Sequence, residues 1–180
     1  MPGGDGGGMF KLRRPAYRVF VIVHVVSSVA WLGLSLCLLV LGVWAVGTGD
    51  AAEQYAAGSA MSVLAGVLAV PLGAGALVSG LVLMLGTKWT VAYTWVLVKL
   101  VATAVTFALT VFSLRPGLAA MAAGLDPERL QVLDGQVLAA PIVSSSVYLG
   151  AVVLSYVKPW GRRGAGRVPA RVPVPARSGR

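Results

Sequence analysis

Residues 20–46 read FVIVHVVSSVAWLGLSLCLLVLGVWAV, 27 positions without one Asp, Glu, Lys or Arg. As a straight helix this stretch runs about 40 Å, more than the ~30 Å of a bilayer's hydrocarbon core. It is too long for a signal-peptide apolar region and no convincing cleavage site follows it, so it reads as a retained span. Three more stretches, 58–85, 91–114 and 136–157, reach the roughly 20 mostly apolar residues that a crossing takes. The expected fold is all-α: a polytopic membrane protein built as an antiparallel bundle of four transmembrane helices. In hydrocarbon each backbone N–H and C=O must be satisfied within its own helix or a closed barrel, which leaves few other architectures.

Composition agrees. Hydrophobic residues make up 57% of the 180 positions and charged residues 12%, about half the charged share of a soluble domain. Mean hydropathy is +0.83. A single transmembrane domain over 17–160 leaves a Gly-rich segment 1–16 and an Arg/Pro-rich tail 161–180, both expected to be disordered and cytoplasmic.

The net charge of +9 is explained by where it lies. Lys11, Arg13, Arg14 and Arg18 precede the first span, Lys88 lies between the second and third, and Lys158 and six arginines follow the fourth. The other two loops hold Arg115 and Arg129 beside Asp50, Glu53, Asp126, Glu128 and Asp134. Basic loops stay in the cytoplasm, so both termini are expected there and no nucleic-acid partner is implied. The tail would lie against anionic lipids, each basic residue contributing about 1 kcal/mol. Tyr17, Trp89 and Trp160 fall at inner span ends, and Trp44 and Tyr55 near outer ones, where amphipathic rings settle. The absence of Asn and the abundance of Ala, Val, Gly and Arg fit a GC-rich bacterial genome. The expected location is therefore the bacterial inner membrane, with the bilayer and a second copy or another membrane protein as partners.

Within the second span Ser59, Gly66, Gly73 and Gly80 recur every seven residues, with Ser62, Ala69 and Ala76 beside them. Such small-residue rows let helices approach closely. Pro71 predicts a kink in that span. Asp126-Pro127-Glu128 reads as the capped start of a short amphipathic helix on the outer surface.

Polar side chains inside the spans are the candidates for chemistry. His24, Ser28, Trp31, Ser35 and Gly42 share one line of the first helix, and Trp95, Lys99, Thr103, Thr106, Thr110 and Ser113 one line of the third. Ser144, Ser145, Ser146 and Tyr148 add hydroxyls to the fourth. Counted from the inner ends, His24 lies ~6–8 Å deep and Lys99 and Tyr148 ~12–13 Å deep. Intramembrane ionisable groups mark functional sites by default, which makes His24, Lys99 and Tyr148 the candidate ligand-binding set. Against this, Lys99 can snorkel to the interface and hydroxyls commonly bond back onto their own helix. Cys37 stands alone, so no disulfide or thiol pair exists within the chain. There is no acidic pair, P-loop or Ser-His-Asp set, and no carboxylate inside a span. These absences point away from catalysis and from proton-coupled transport.

The run His24-Val-Val-Ser-Ser-Val-Ala-Trp31-Leu-Gly33, with Trp95-Val-Leu-Val-Lys99-Leu100, resembles helices of a group of small bacterial membrane proteins. The group includes CopD-like copper-resistance proteins, HemJ-type protoporphyrinogen oxidases and an uncharacterised four-span family, whose layout 17–157 resembles most. The HemJ-type resemblance implies a haem b or porphyrin site at His24 and Lys99. The chain departs from that pattern at Leu97, where histidine is usual, and a lone histidine excludes bis-His ligation within one chain. The leading expectation is a non-catalytic or small-ligand-binding membrane bundle. Haem or porphyrin oxidoreduction comes second. Copper handling is third, since copper(I) prefers soft sulfur donors and Cys37 and Met84 are isolated in the sequence.

Overall fold

The structure, a computed structural model, describes residues 13–86 and 93–157. Among these every extended element is helical: α1 Arg14–Gly47, α2 Ala51–Leu85, α3 Thr94–Leu109, α4 Arg115–Gly124 and α5 Gln136–Val157. A π-helical turn over Thr110–Leu114 joins α3 to α4 without a break. Four helices are therefore long and apolar enough to cross a membrane: Arg14–Gly47, Ala51–Leu85, Thr94–Gly124 and Gln136–Val157. The chain is an all-α, multi-pass bundle. Lys88, Trp89, most of segment 1–16, Trp160 and the tail 161–180 lie outside the described residues. Arg13 and Val157 end at one face, called here the terminal face. The α1–α2 and α4–α5 connections form the opposite, loop face.

The pattern of burial is that of a protein dissolved in lipid. Val19, Ile22, Val26, Val29, Val40 and Val43 of α1 point outward, and Phe112 is 81% exposed. Inside lie Ala65, Ala69, Ala76 and Met61, with Ser35, Ser79, Thr106, Thr110, Ser144 and Ser145 among them. Water would drive that distribution the other way. In lipid, tight packing of small residues replaces hydrophobic burial as the force between helices.

α1 and α2 form the closest pair, and α5 lies along the other side of α1. α3 packs more lightly on α5 and α2, so α1 and α3 stand diagonally across the bundle. They meet through Trp31 and Phe107, edge to face with ring centroids 5.9 Å apart. Gly73 of α2 leaves the room for this contact, since a Cβ there would stand 2.5 Å from Phe107 Cδ2 and 2.8 Å from Trp31 Cζ2.

The seven-residue row expected in α2 holds over only half its length. Gly73 and Gly80 face neighbouring helices, whereas Gly66 is exposed with nothing within 4 Å of a Cβ built on it. The buried line runs Gly58, Met61, Ala65, Ala69, Gly73, Ala76, which keeps Gly73 of the row and Ala69 and Ala76 of the row expected beside it. A straight helix turns about 20° per heptad away from a strict seven-residue repeat, so the row slides off the interface.

The ends of the spans also differ from expectation. α2 starts at Ala51, seven residues early, because Asp50 Oδ1 accepts from the N–H groups of Ala52 (2.8 Å) and Glu53 (3.0 Å). It runs through Pro71 as one helix. The helix of the third span continues past Leu114 to Gly124. Pro116 has no N–H and crowds the carbonyl four residues back; the π turn before it relieves this, with Arg115 N–H bonded to Thr110 O five residues back. No helix starts at Asp126. Its carboxylate accepts from Glu128 N at 2.9 Å and its carbonyl from Arg129 N at 3.3 Å, which makes a turn. With α4 extending to Gly124, residues 125–135 must cross to α5, and Leu125 is buried against Gly58 in an extended conformation.

Gln54, only 2% exposed, holds the loop face together. Its Nε2 donates to Ala45 O (3.2 Å) and Gln131 O (2.9 Å), and its Oε1 accepts from Gln131 N (3.0 Å). One amide thus ties α1, α2 and the α4–α5 loop.

Candidate functional site

Toward the terminal face α1 and α3 separate, and the space between them is a cavity of about 360 Å³. His24, Ser28 and Trp31 line it from α1, Ala76 from α2, Lys99 and Thr103 from α3, and Tyr148 and Ser155 from α5. A second cavity of about 190 Å³ lies beside it, bounded by Tyr17, Met84 and Trp95 among others. His24, Ala76, Lys99 and Thr103 line both. The three sequence candidates, His24, Lys99 and Tyr148, therefore face one space from three helices. Val25, Val29 and Val152 also border it and are each more than half exposed, so the cavity opens sideways between α1 and α5.

His24 is held by α2. Its Nδ1 lies 2.9 Å from Ala76 O and 3.2 Å from Ser79 Oγ. A carbonyl only accepts, so Nδ1 carries the proton. Gly80 makes the seat, because a Cβ there would stand 3.0 Å from His24 Cε1. Nε2 has no hydrogen bond among the described residues, and in the neutral ring it is an acceptor or metal ligand.

Lys99 Nζ donates to Ser155 Oγ at 2.7 Å, and that hydroxyl donates in turn to Ala151 O. Ser155 is in the last turn of α5, so the ammonium leans toward the terminal face. None of the described spans places a carboxylate beside it. Tyr148, 6% exposed, stacks on Trp31 at a tilted 36° with centroids 4.5 Å apart. Its hydroxyl is buried without a hydrogen-bond partner at normal distance, and the Thr110 side chain is a polar group that approaches it. Thr110 itself donates to Thr106 O at 2.8 Å.

Several other hydroxyls are satisfied locally, although the buried Ser145 Oγ has no partner. Ser35, Thr106, Ser144, Ser146 and Ser155 each donate to the carbonyl four residues back. Ser113 is exposed, turned off the α3 line at the π turn. Sequence reasoning missed Ser155 and Ala76. The available signal for Ser155 was its spacing, seven residues after Tyr148 and so on the same helix face. Ala76 acts only through its carbonyl, for which a sequence carries no sign. Among the described residues no group of three His, Cys, Asp or Glu side chains gathers, and Cys37 is exposed on α1.

A site of this kind can take up a molecule that is mostly apolar and carries hydrogen-bond acceptors. It offers a cation and a directed imidazole within apolar walls that include the Trp31 and Tyr148 rings. No family model, curated protein or solved structure matches this chain.

Proposed function

We propose that this chain is a bacterial inner-membrane protein, with both ends cytoplasmic, that binds a small apolar ligand from the bilayer without catalysing a reaction. The observation that carries the reading is the side-opening cavity lined by His24, Lys99 and Tyr148, where His24 Nε2 and two Lys99 N–H groups have bonding capacity to spare. A pocket with apolar walls and a few convergent polar groups is the general form of a small-molecule site. The excess of basic residues in the sequence before the first span, between the second and third and after the fourth supports the cytoplasmic placement. The test is mass spectrometry of small molecules that co-purify with the protein in mild detergent. A molecule should be retained by the native chain and lost when Thr103→Trp fills the cavity. Identical extracts from both, with the variant folded, would end this reading.

A second reading, haem or porphyrin oxidoreduction, is favoured by His24 alone. An imidazole whose Nδ1–H is bonded to a backbone carbonyl directs Nε2 at a metal. That donor set fits one axial ligand, with Lys99 in the same cavity to meet a propionate. Bound haem would supply one-electron chemistry, while the chain would orient the group and keep water away. The purified protein would then show a Soret band that His24→Ala abolishes; colourless protein from haem-sufficient cells would remove the idea. Copper handling has the least support, because among the described residues no three His, Cys, Asp or Glu side chains gather.

A further inference from the structure

We propose that the ligand is a single-chain amphiphile with a carboxylate head, taken sideways from the leaflet at the terminal face. This rests on the ligand-binding reading and narrows it to a chemical class. The first argument is charge. Lys99 is an ammonium inside the bundle, and α1, α3, α4 and α5 contain no Asp or Glu. A cation within a membrane domain is paired with an anion or drawn to water, and its one bond here, to the neutral Ser155 hydroxyl, leaves its charge unbalanced. The second argument is the surplus of donors. Two N–H groups of Lys99 remain available to the cavity, and the hydroxyl residues Ser28 and Thr103 line it beside them. The missing component is therefore rich in acceptors and negative.

The third argument is layout. Lys99 meets α5 at Ser155, two residues from its end at Val157, and Trp31 and Tyr148 lie about 10 Å deeper along that helix. Between them the walls include Val25, Val29, Leu32 and Val152. Charge sits at the shallow end and apolar surface extends inward, matching the orientation of an amphiphile in its own leaflet. One ammonium balances one negative charge, which selects a carboxylate over a phosphate monoester.

The test uses the full chain in phosphatidylcholine nanodiscs and displacement of a fluorescent 12-carbon carboxylate, corrected for partition into empty discs. Competitors are dodecanoate, dodecanol, dodecyltrimethylammonium, dodecyl phosphate and acetate. Dodecanoate should bind roughly tenfold or more tighter than dodecanol, the usual strength of a charge-assisted hydrogen bond, and acetate should not compete. Lys99→Met should erase the preference while keeping dodecanol affinity, which also shows that the variant folds; Lys99→Arg should preserve it. Equal binding of dodecanoate and dodecanol, or a preference for the ammonium or the phosphate, would overturn the carboxylate assignment and leave the cavity reading standing. No displacement by any 12-carbon probe would overturn both.

Discussion

Two glycines seven residues apart in α2 should respond to the same substitution with opposite sign. At Gly73 a new Cβ would stand 2.5 and 2.8 Å from Phe107 ring carbons and 2.8 Å from Trp31 Cζ2. The Trp31 ring has little room to withdraw. Trp31 is 3% exposed, wedged between Phe107 at 5.9 Å and Tyr148 at 4.5 Å. Forcing one methyl into such packing costs about 1–3 kcal/mol. At Gly66 nothing lies within 4 Å, so alanine adds no clash and removes backbone freedom from the unfolded chain, a gain of about 0.5–1 kcal/mol. The backbone gain applies at both sites, so the two variants should differ by the packing cost, roughly 1–3 kcal/mol, in reversible SDS unfolding of the purified protein. A double variant, Gly73→Ala with Phe107→Leu, should recover part of the loss because the two sites share one contact. If Gly66→Ala destabilised as much as Gly73→Ala, the strict seven-residue row would be the true interface and the drift argument would be wrong. If Gly73→Ala were neutral, the aromatic contact across the bundle would not exist as described.

Gln54→Ala should cost about 2–3 kcal/mol, because it strips three hydrogen bonds and leaves the half-buried Gln131 backbone groups and the Ala45 carbonyl without this partner; faster limited proteolysis within 125–135 would mark the same loss, and an unchanged cleavage rate would contradict it. Asp50→Ala should cost about 1 kcal/mol by uncapping α2, measured in the same unfolding assay, with Asp50→Ser nearly neutral. Tyr148→Phe should raise the stability of ligand-free protein by about 1 kcal/mol, since it deletes a buried hydroxyl that has no partner; a destabilised variant would mean that the hydroxyl is bonded.

The spans were legible because hydropathy over 20 or more residues is a bulk signal that no single position spoils. Their ends were harder, because each end is decided by one or two atoms. The carboxylate of Asp50 begins α2 well before the apolar run does. At Arg115-Pro116 the sequence shows a helix breaker, yet a π turn absorbs it and the Ala-rich segment that follows stays helical. Asp126-Pro127-Glu128 carries a cap signature that a turn uses equally well, and only the length left after α4 decides between them. Gln54 looked like a loop residue ahead of a span. Its register was the clue, four residues before Gly58 and seven before Met61, on the buried line. His24, Lys99 and Tyr148 stood out because ionisable or phenolic groups are rare at that depth. Their shared cavity did not, because it depends on α1 and α3 standing diagonally, which no periodicity within one helix encodes.

The division of polar groups inside the bundle sharpens the functional argument. A hydroxyl in a membrane helix can return to the carbonyl one turn back, and seven of them here do so. Such residues are satisfied whatever else is present, so their number says nothing about a ligand. An imidazole, an ammonium and a phenol have no such route, because their polar atoms reach beyond their own helix. His24 spends one nitrogen on α2, Lys99 one hydrogen on α5, and Tyr148 none at normal distance. The residual bonding capacity of His24 and Lys99 is directed into a single cavity that opens toward lipid, with the Tyr148 ring in its wall. In a solvent that offers no hydrogen bonds of its own, that capacity can be met only by something that enters.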